Sequence, residues 1–178
     1  MTRRTQVIAE KNKQELFIIR AFDAPRELVF KAFSEPDLIM QWMGPKEMDT
    51  IVNKLDNQSH GSWRITHIDL QGNNHIFNGA IHEVAAPERI IRTFEYEGMP
   101  DRGHVSLEFL VLENMPVNCC KMTIQVIYKS VMERWVVDSH DRLGNFLAGI
   151  FNTDPLQQIL KMLPSGVRFI VVLLVCLD

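Results

Sequence analysis

Cysteine is scarce in this chain. Cys119, Cys120 and Cys176 are the only three among 178 residues. Adjacent cysteines join only with strain, an odd count leaves one over, and no CxxC pair is present, so neither a disulfide framework nor a zinc site is expected. His67, His82 and His104 fall on separate strand-like segments and could converge. No pair of histidines has the short spacing of a metal motif, however, and HExxH is absent. The chain also lacks a GxSxG elbow and a glycine-rich phosphate loop, which removes the usual signs of nucleophilic hydrolysis and nucleotide binding. A formal net charge of -3 supplies no basic field for nucleic acid. No apolar h-region follows the opening Met1-Thr2-Arg3-Arg4-Thr5, so no secretory leader is read and the cytoplasm is the expected compartment. The apolar run at 169–175, within the tail 167–177, is far short of the roughly 20 residues that a membrane span requires. It reads as a buried terminal element, with a self-associating patch, and hence a homodimer, as the alternative.

What is present suits one globular domain. Hydrophobic residues make up 46% and charged residues 23% of the chain, which is ordinary for a protein that folds around its own core. We read residues 1–178 as a single unit, with 1–13 as an extension and 151–178 as an atypical end. Residues 14–23 read as a strand. Asp23 precedes Ala24-Pro25, where it can cap a helix carrying Leu28, Val29, Ala32 and Phe33 on one face. A second short helix runs over 37–42 and stops before Gly44-Pro45. Six strand-like segments follow, at 48–55, 63–70, 76–84, 89–96, 104–112 and 119–128. The short polar turns between them imply an antiparallel meander rather than a doubly wound nucleotide fold. From Ser130 the apolar spacing becomes helical. A curved sheet needs a cover on its concave face, and a long terminal helix would provide it, leaving room for a pocket between the two.

Strand alternation sorts side chains into faces. In the last strand Cys120, Met122, Ile124, Val126 and Tyr128 share the side expected to face the pocket. In the strand before it, Val105, Leu107, Phe109 and Val111 oppose Ser106 and Glu108. In 89–96, Ile91, Thr93 and Glu95 oppose Ile90, Arg92, Phe94 and Tyr96. Candidate pocket residues are the aromatics Trp42, Trp63, Phe109 and Tyr128, the apolar Met122 and Ile124, and the polar Arg64, His82 and Glu95, which would orient a ligand. Glu95 and Glu108 would serve as acid or base only if buried in the cavity.

Several blocks carry a resemblance. Residues 19–33 match an opening "RtFdAPrelVfkAf" strand and helix. Pro36 with Trp42-Met43-Gly44-Pro45 matches "dPe…WwGP", with Met43 where an aromatic is usual. His60-Gly61-Ser62-Trp63-Arg64 matches "GGsWr", with His60 in place of the first glycine. His82-Glu83-Val84, Pro87-Glu88-Arg89-Ile90-Ile91 and Thr93-Phe94-Glu95 match "heV…PErIi.TFe". Over about residues 14–134 the chain resembles the START-like (SRPBCC, helix-grip) superfamily, and within it the family that shares a domain with the activator of the heat-shock-ninety ATPase. After Ser130-Val131-Met132-Glu133-Arg134 the family pattern is lost. The resemblance implies an α+β helix-grip fold: two short helices after the first strand, and a curved antiparallel sheet of six to seven strands wrapped around a long C-terminal helix. It also implies an internal pocket for a small apolar or amphipathic molecule, with no catalytic residues, metal or cofactor expected. A module that modulates a chaperone ATPase is the alternative, and a cyclase- or hydrolase-like enzyme using cavity carboxylates is a third.

Overall fold

The computed structural model of the chain describes residues 5–44, 48–99 and 103–131. Within them, eight antiparallel strands form one sheet and two short helices interrupt the chain after the second strand. The strands are β1 (Gln6–Ile8), β2 (Glu15–Phe22), β3 (Asp49–Leu55), β4 (Ser62–Ile68), β5 (Asn74–Ala85), β6 (Arg89–Tyr96), β7 (Val105–Met115) and β8 (Cys119–Ile127). The helices α1 (Arg26–Ser34) and α2 (Pro36–Trp42) lie between β2 and β3. The long helix expected after Ser130 lies outside the described residues.

The spatial order is β1-β2-β8-β7-β6-β5-β4-β3. The helices carry the chain from β2 to the far edge at β3. From there each hairpin steps back until β8 pairs with β2. This return sets the register across the middle of the sheet, where Ile18 opposes Ile124 and Ile124 opposes Leu110. Side chains directly opposite one another share a face. Leu16, Ile18 and Phe22, Cys120, Met122, Ile124 and Val126, and Leu110 and Leu112 therefore form one continuous buried wall, the inner face. The strict alternation of β8, in which every second residue is buried, is the sequence pattern of a strand with one covered side.

One strand of the sheet has no signature in the sequence. The N-terminal stretch, expected to be an extension, contains β1, which pairs Gln6, Val7 and Ile8 with Ile19, Ile18 and Phe17 and brings the sheet to eight strands. Three exposed residues at an edge show no alternation to detect. The helix cap also differs from expectation. Pro25 occupies the N-cap of α1 with no side-chain cap bond, so Asp23 does not fill that role. Proline's fixed φ starts the helix instead. On α1, Val29, Phe30, Ala32 and Phe33 are buried at helical spacing, and the helix packs against β7 and β8. Trp42 closes the helical pair by donating from Nε1 to the Ala32 carbonyl at 3.0 Å, its ring 5.3 Å from that of Phe33.

Gly79 permits the closest approach in the sheet. The Trp63 indole crosses it to donate to the Thr93 carbonyl at 3.1 Å. A Cβ at position 79 would collide with that carbonyl and come 2.7 Å from the indole nitrogen. The obstructing atom is backbone, so it cannot swing aside. Gly79→Ala is expected to cost about 3 kcal/mol, with the midpoint of thermal unfolding falling by roughly 10 °C. Thermal melting followed by circular dichroism reads this directly, and an unchanged midpoint would mean that the Trp63–Thr93 contact is not maintained.

Candidate functional site

Among the described residues the inner face is mostly apolar, with His67, His75, Ser106 and Arg20 as polar members and one ion pair between neighbouring strands. Arg92 on β6 and Glu108 on β7 are register partners. Arg92 Nε donates to Glu108 Oε2 at 2.8 Å, with the two side chains 12% and 11% exposed. The guanidinium lies over the Trp63 ring, 4.8 Å from its centroid, and Trp63 in turn meets Phe94 at 5.6 Å. The ring face carries negative quadrupole density, so it steadies the cation without consuming its hydrogen-bond donors. Among the described residues no other hydrogen bond engages the terminal nitrogens of Arg92 or the second oxygen of Glu108. Ser106, also buried, lies two residues along β7 on the same face. Among the described strand residues, Arg20 also has inner-face parity. It reaches toward the β1 edge, where Nη1 donates to Thr5 Oγ1 at 3.2 Å, and burial lowers its pKa to about 10.

The candidate residues divide between environments. Trp63, Met122, Ile124 and Tyr128 are buried on the inner face. Trp42 is buried in the helical pair. Phe109, Arg64, His82 and Glu95 are on the opposite, outer side, not toward the inner wall. Phe109 opposes Gln125 in the register, whereas Leu110 opposes Ile124. Arg64 makes a two-pronged bond to Glu97, both contacts at 3.0 Å, and Asn78 binds the same carboxylate. Glu95 accepts from the Gly103 amide at 3.4 Å. His82 falls at the irregularity between Ile81 and Glu83 and is exposed. His67, by contrast, is fully buried, so it does not converge with His82.

The outer side has a feature of its own. His82, Ile91, Leu107, Phe109 and Ile127 line an open depression of about 530 Å³ across β5 to β8, to which Ser106 and Tyr128, of inner-face parity, also contribute. No group of described residues could hold a metal ion, and no described helix is long and apolar enough to cross a membrane. Cys119 and Cys120 are free thiols, and burial pushes that of Cys120 up to about 11.

Two buried histidines do structural work near the β4–β5 turn. Thr50 Oγ1 donates to the Met43 carbonyl at 2.7 Å, so the 2.9 Å contact with His67 Nδ1 is a donation from the ring. That fixes the tautomer and leaves His67 Nε2 as a buried acceptor with no partner among the described residues. Burial, helped by the nearby His75, lowers the His67 pKa to about 4. His75 bridges Asp69 at 3.1 Å and Tyr96 at 3.2 Å. Hydrogen bonds led by the Asn73 amide hold the Asp69 carboxyl at about 2.

Residues 23–143 match the family described as Activator of Hsp90 ATPase homolog 1-like protein. The chain belongs to this family. Its AHSA1-like fold is shared by a Rhodobacter sphaeroides protein, at a TM-score of 0.77 and 19% identity over 90% of this chain and 100% of the other. An Arthrobacter aurescens protein aligns at a TM-score of 0.72 and 17% identity, over 82% of this chain and 86% of its own. The AHSA1 protein of Silicibacter pomeroyi aligns at 0.54 and 22% identity, over 63% and 78%. No curated protein matches the sequence. The architecture is thus the SRPBCC-like one, with an eight-stranded antiparallel sheet and two helices among the described residues.

Proposed function

We propose that this AHSA1-like domain binds a small apolar or amphipathic molecule against the inner face of its sheet. The observation that carries the reading is the Arg92–Glu108 ion pair, set beside Trp63 and Phe94 in a mostly apolar wall. Replacing a buried ion pair by well-packed apolar residues is often neutral or stabilising, by about 1–4 kcal/mol. Stability alone therefore gives no reason to keep the pair. A mostly apolar lining with a few placed polar groups is the usual construction of a small-molecule site. Affinity would come mainly from apolar burial, at about 25 cal/mol per Å² before the costs of association. Native mass spectrometry of gently purified protein, with a thermal-shift screen of lipids and aromatic compounds, tests the reading. The expected result is a small-molecule adduct, or a rise in melting temperature with part of the panel. An empty protein unmoved by the whole panel would contradict it.

A second reading, modulation of a chaperone ATPase through a protein contact, is favoured by the outer depression around Phe109 and by the family's description. Under it, Phe109→Asp abolishes capture of the host chaperone and stimulation of its ATPase while melting is little changed. Equal stimulation by wild type and variant would count against this surface.

A further inference from the structure

We propose that the Arg92–Glu108 pair selects an uncharged polar head, one that accepts a hydrogen bond and donates another, carried on an apolar tail; this rests on the inner-face reading above. A primary amide meets the description: its carbonyl oxygen takes an N–H of Arg92 and its NH₂ gives a hydrogen to Glu108. Arg92 is already balanced by Glu108 at 2.8 Å. Among the described residues the next inner-face cation, Arg20, is on β2, separated from β7 by β8, and bonds toward Thr5 at the opposite edge. An anionic head on Arg92 would thus leave an uncompensated negative charge beside Glu108 in a largely buried setting. A cationic head on Glu108 would leave the reverse beside Arg92. Either carries the desolvation penalty of an unpaired ion. A neutral head leaves the balance intact.

The geometry of the pair matches a head of this kind. The single-pronged bond uses Nε and one carboxylate oxygen. It leaves the terminal guanidinium nitrogens as donors and Oε1 as an acceptor, side by side on adjacent strands. Bonds to charged groups are stronger than neutral ones, so both contacts reward a complementary head. Trp63 beneath the guanidinium fixes its plane without using an N–H. A head that only accepts would satisfy one half of the pair and leave the other unbonded.

A matched series with one apolar tail tests this: decanamide, decanol, decanoate and decylamine, each titrated into the full chain by isothermal calorimetry near neutral pH. Decanamide is expected to bind about ten-fold or more tightly than decanoate and decylamine, with decanol between, because the alcohol's one oxygen must both accept from Arg92 and donate to Glu108. In Arg92→Met/Glu108→Leu, which removes both charges together, the preference is expected to collapse to within about two-fold while tail binding persists. Comparable binding of all four by the wild type, or preference for either ion, would overturn the head-group assignment and leave the inner-face reading standing. Retained discrimination in a folded double variant would also overturn it. If no member of the series bound, the inner-face reading itself would fail. Should the double variant not fold, the wild-type ranking alone decides.

Discussion

Arg92→Met alone is expected to destabilise the domain by about 3 kcal/mol or more, while Arg92→Met/Glu108→Leu costs less than about 1 kcal/mol. The single change strands the Glu108 carboxylate at 11% exposure, without the guanidinium that satisfies it. It also removes the group that covers the Trp63 ring. The double change removes both charges and leaves side chains that can join the surrounding apolar wall. Urea denaturation of the four proteins of the cycle gives the coupling between the two sites. A double variant as unstable as the sum of the singles would mean that the two side chains act independently. The asymmetry also bears on function: a pair that can be removed together at little cost is not explained by the fold's need for it.

Acid is expected to remove about 3 kcal/mol of stability through His67 alone. Its pKa is about 4 in the folded protein, against an ordinary value of 6.5. The unfolded chain therefore takes up the proton first as pH falls. Stability is fully present above pH 6.5, declines between 6.5 and 4, and recovers nothing below that. Burial causes the shift: the ring is fully enclosed, with Nδ1 committed to Thr50 and Nε2 without a donor. His67→Asn keeps a side-chain N–H for Thr50 but cannot take up the proton. Its unfolding free energy is expected to stay nearly level across that window. Asp69, held low mainly by the Asn73 amide, adds a further loss below its ordinary value of 3.8, common to both proteins. Denaturant titrations at a series of pH values check this, and parallel pH profiles for wild type and variant would contradict it.

Much of the fold was legible because its signals are local. Pro25, Pro36 and Gly44 punctuate the helices. The seven longer strands carry either alternation or flanking turn residues, and their boundaries fall within a few residues of those expected. β8 could even be assigned a buried face, since one stripe is apolar and the other contains Lys121, Thr123 and Gln125. The candidate site was less legible, for reasons of register. In β7 both stripes hold large apolar residues: Leu107 and Phe109 on one, Leu110 and Leu112 on the other. Alternation groups them but cannot say which group turns inward. Only the pairing of Leu110 with Ile124 decides, and it sends Phe109 outward. At His82 the irregularity between Ile81 and Glu83 interrupts the period of two, so counting along the strand fails there. Arg92 shared a stripe with Ile90, Phe94 and Tyr96, which was a usable sign. Its partner on β7 became evident only once the two strands were aligned, because a lone Glu108 reads as a solvated carboxylate.

Methyl-resolved NMR of the domain with labelled isoleucine and methionine, titrated with decanamide, tests the central claim most directly. Ile18, Met122 and Ile124 mark the inner face, and Ile91 and Ile127 mark the outer depression. Saturable shifts concentrated at the first group are the expected result. Shifts confined to Ile91 and Ile127, or none at either group, would contradict a ligand held on the inner wall.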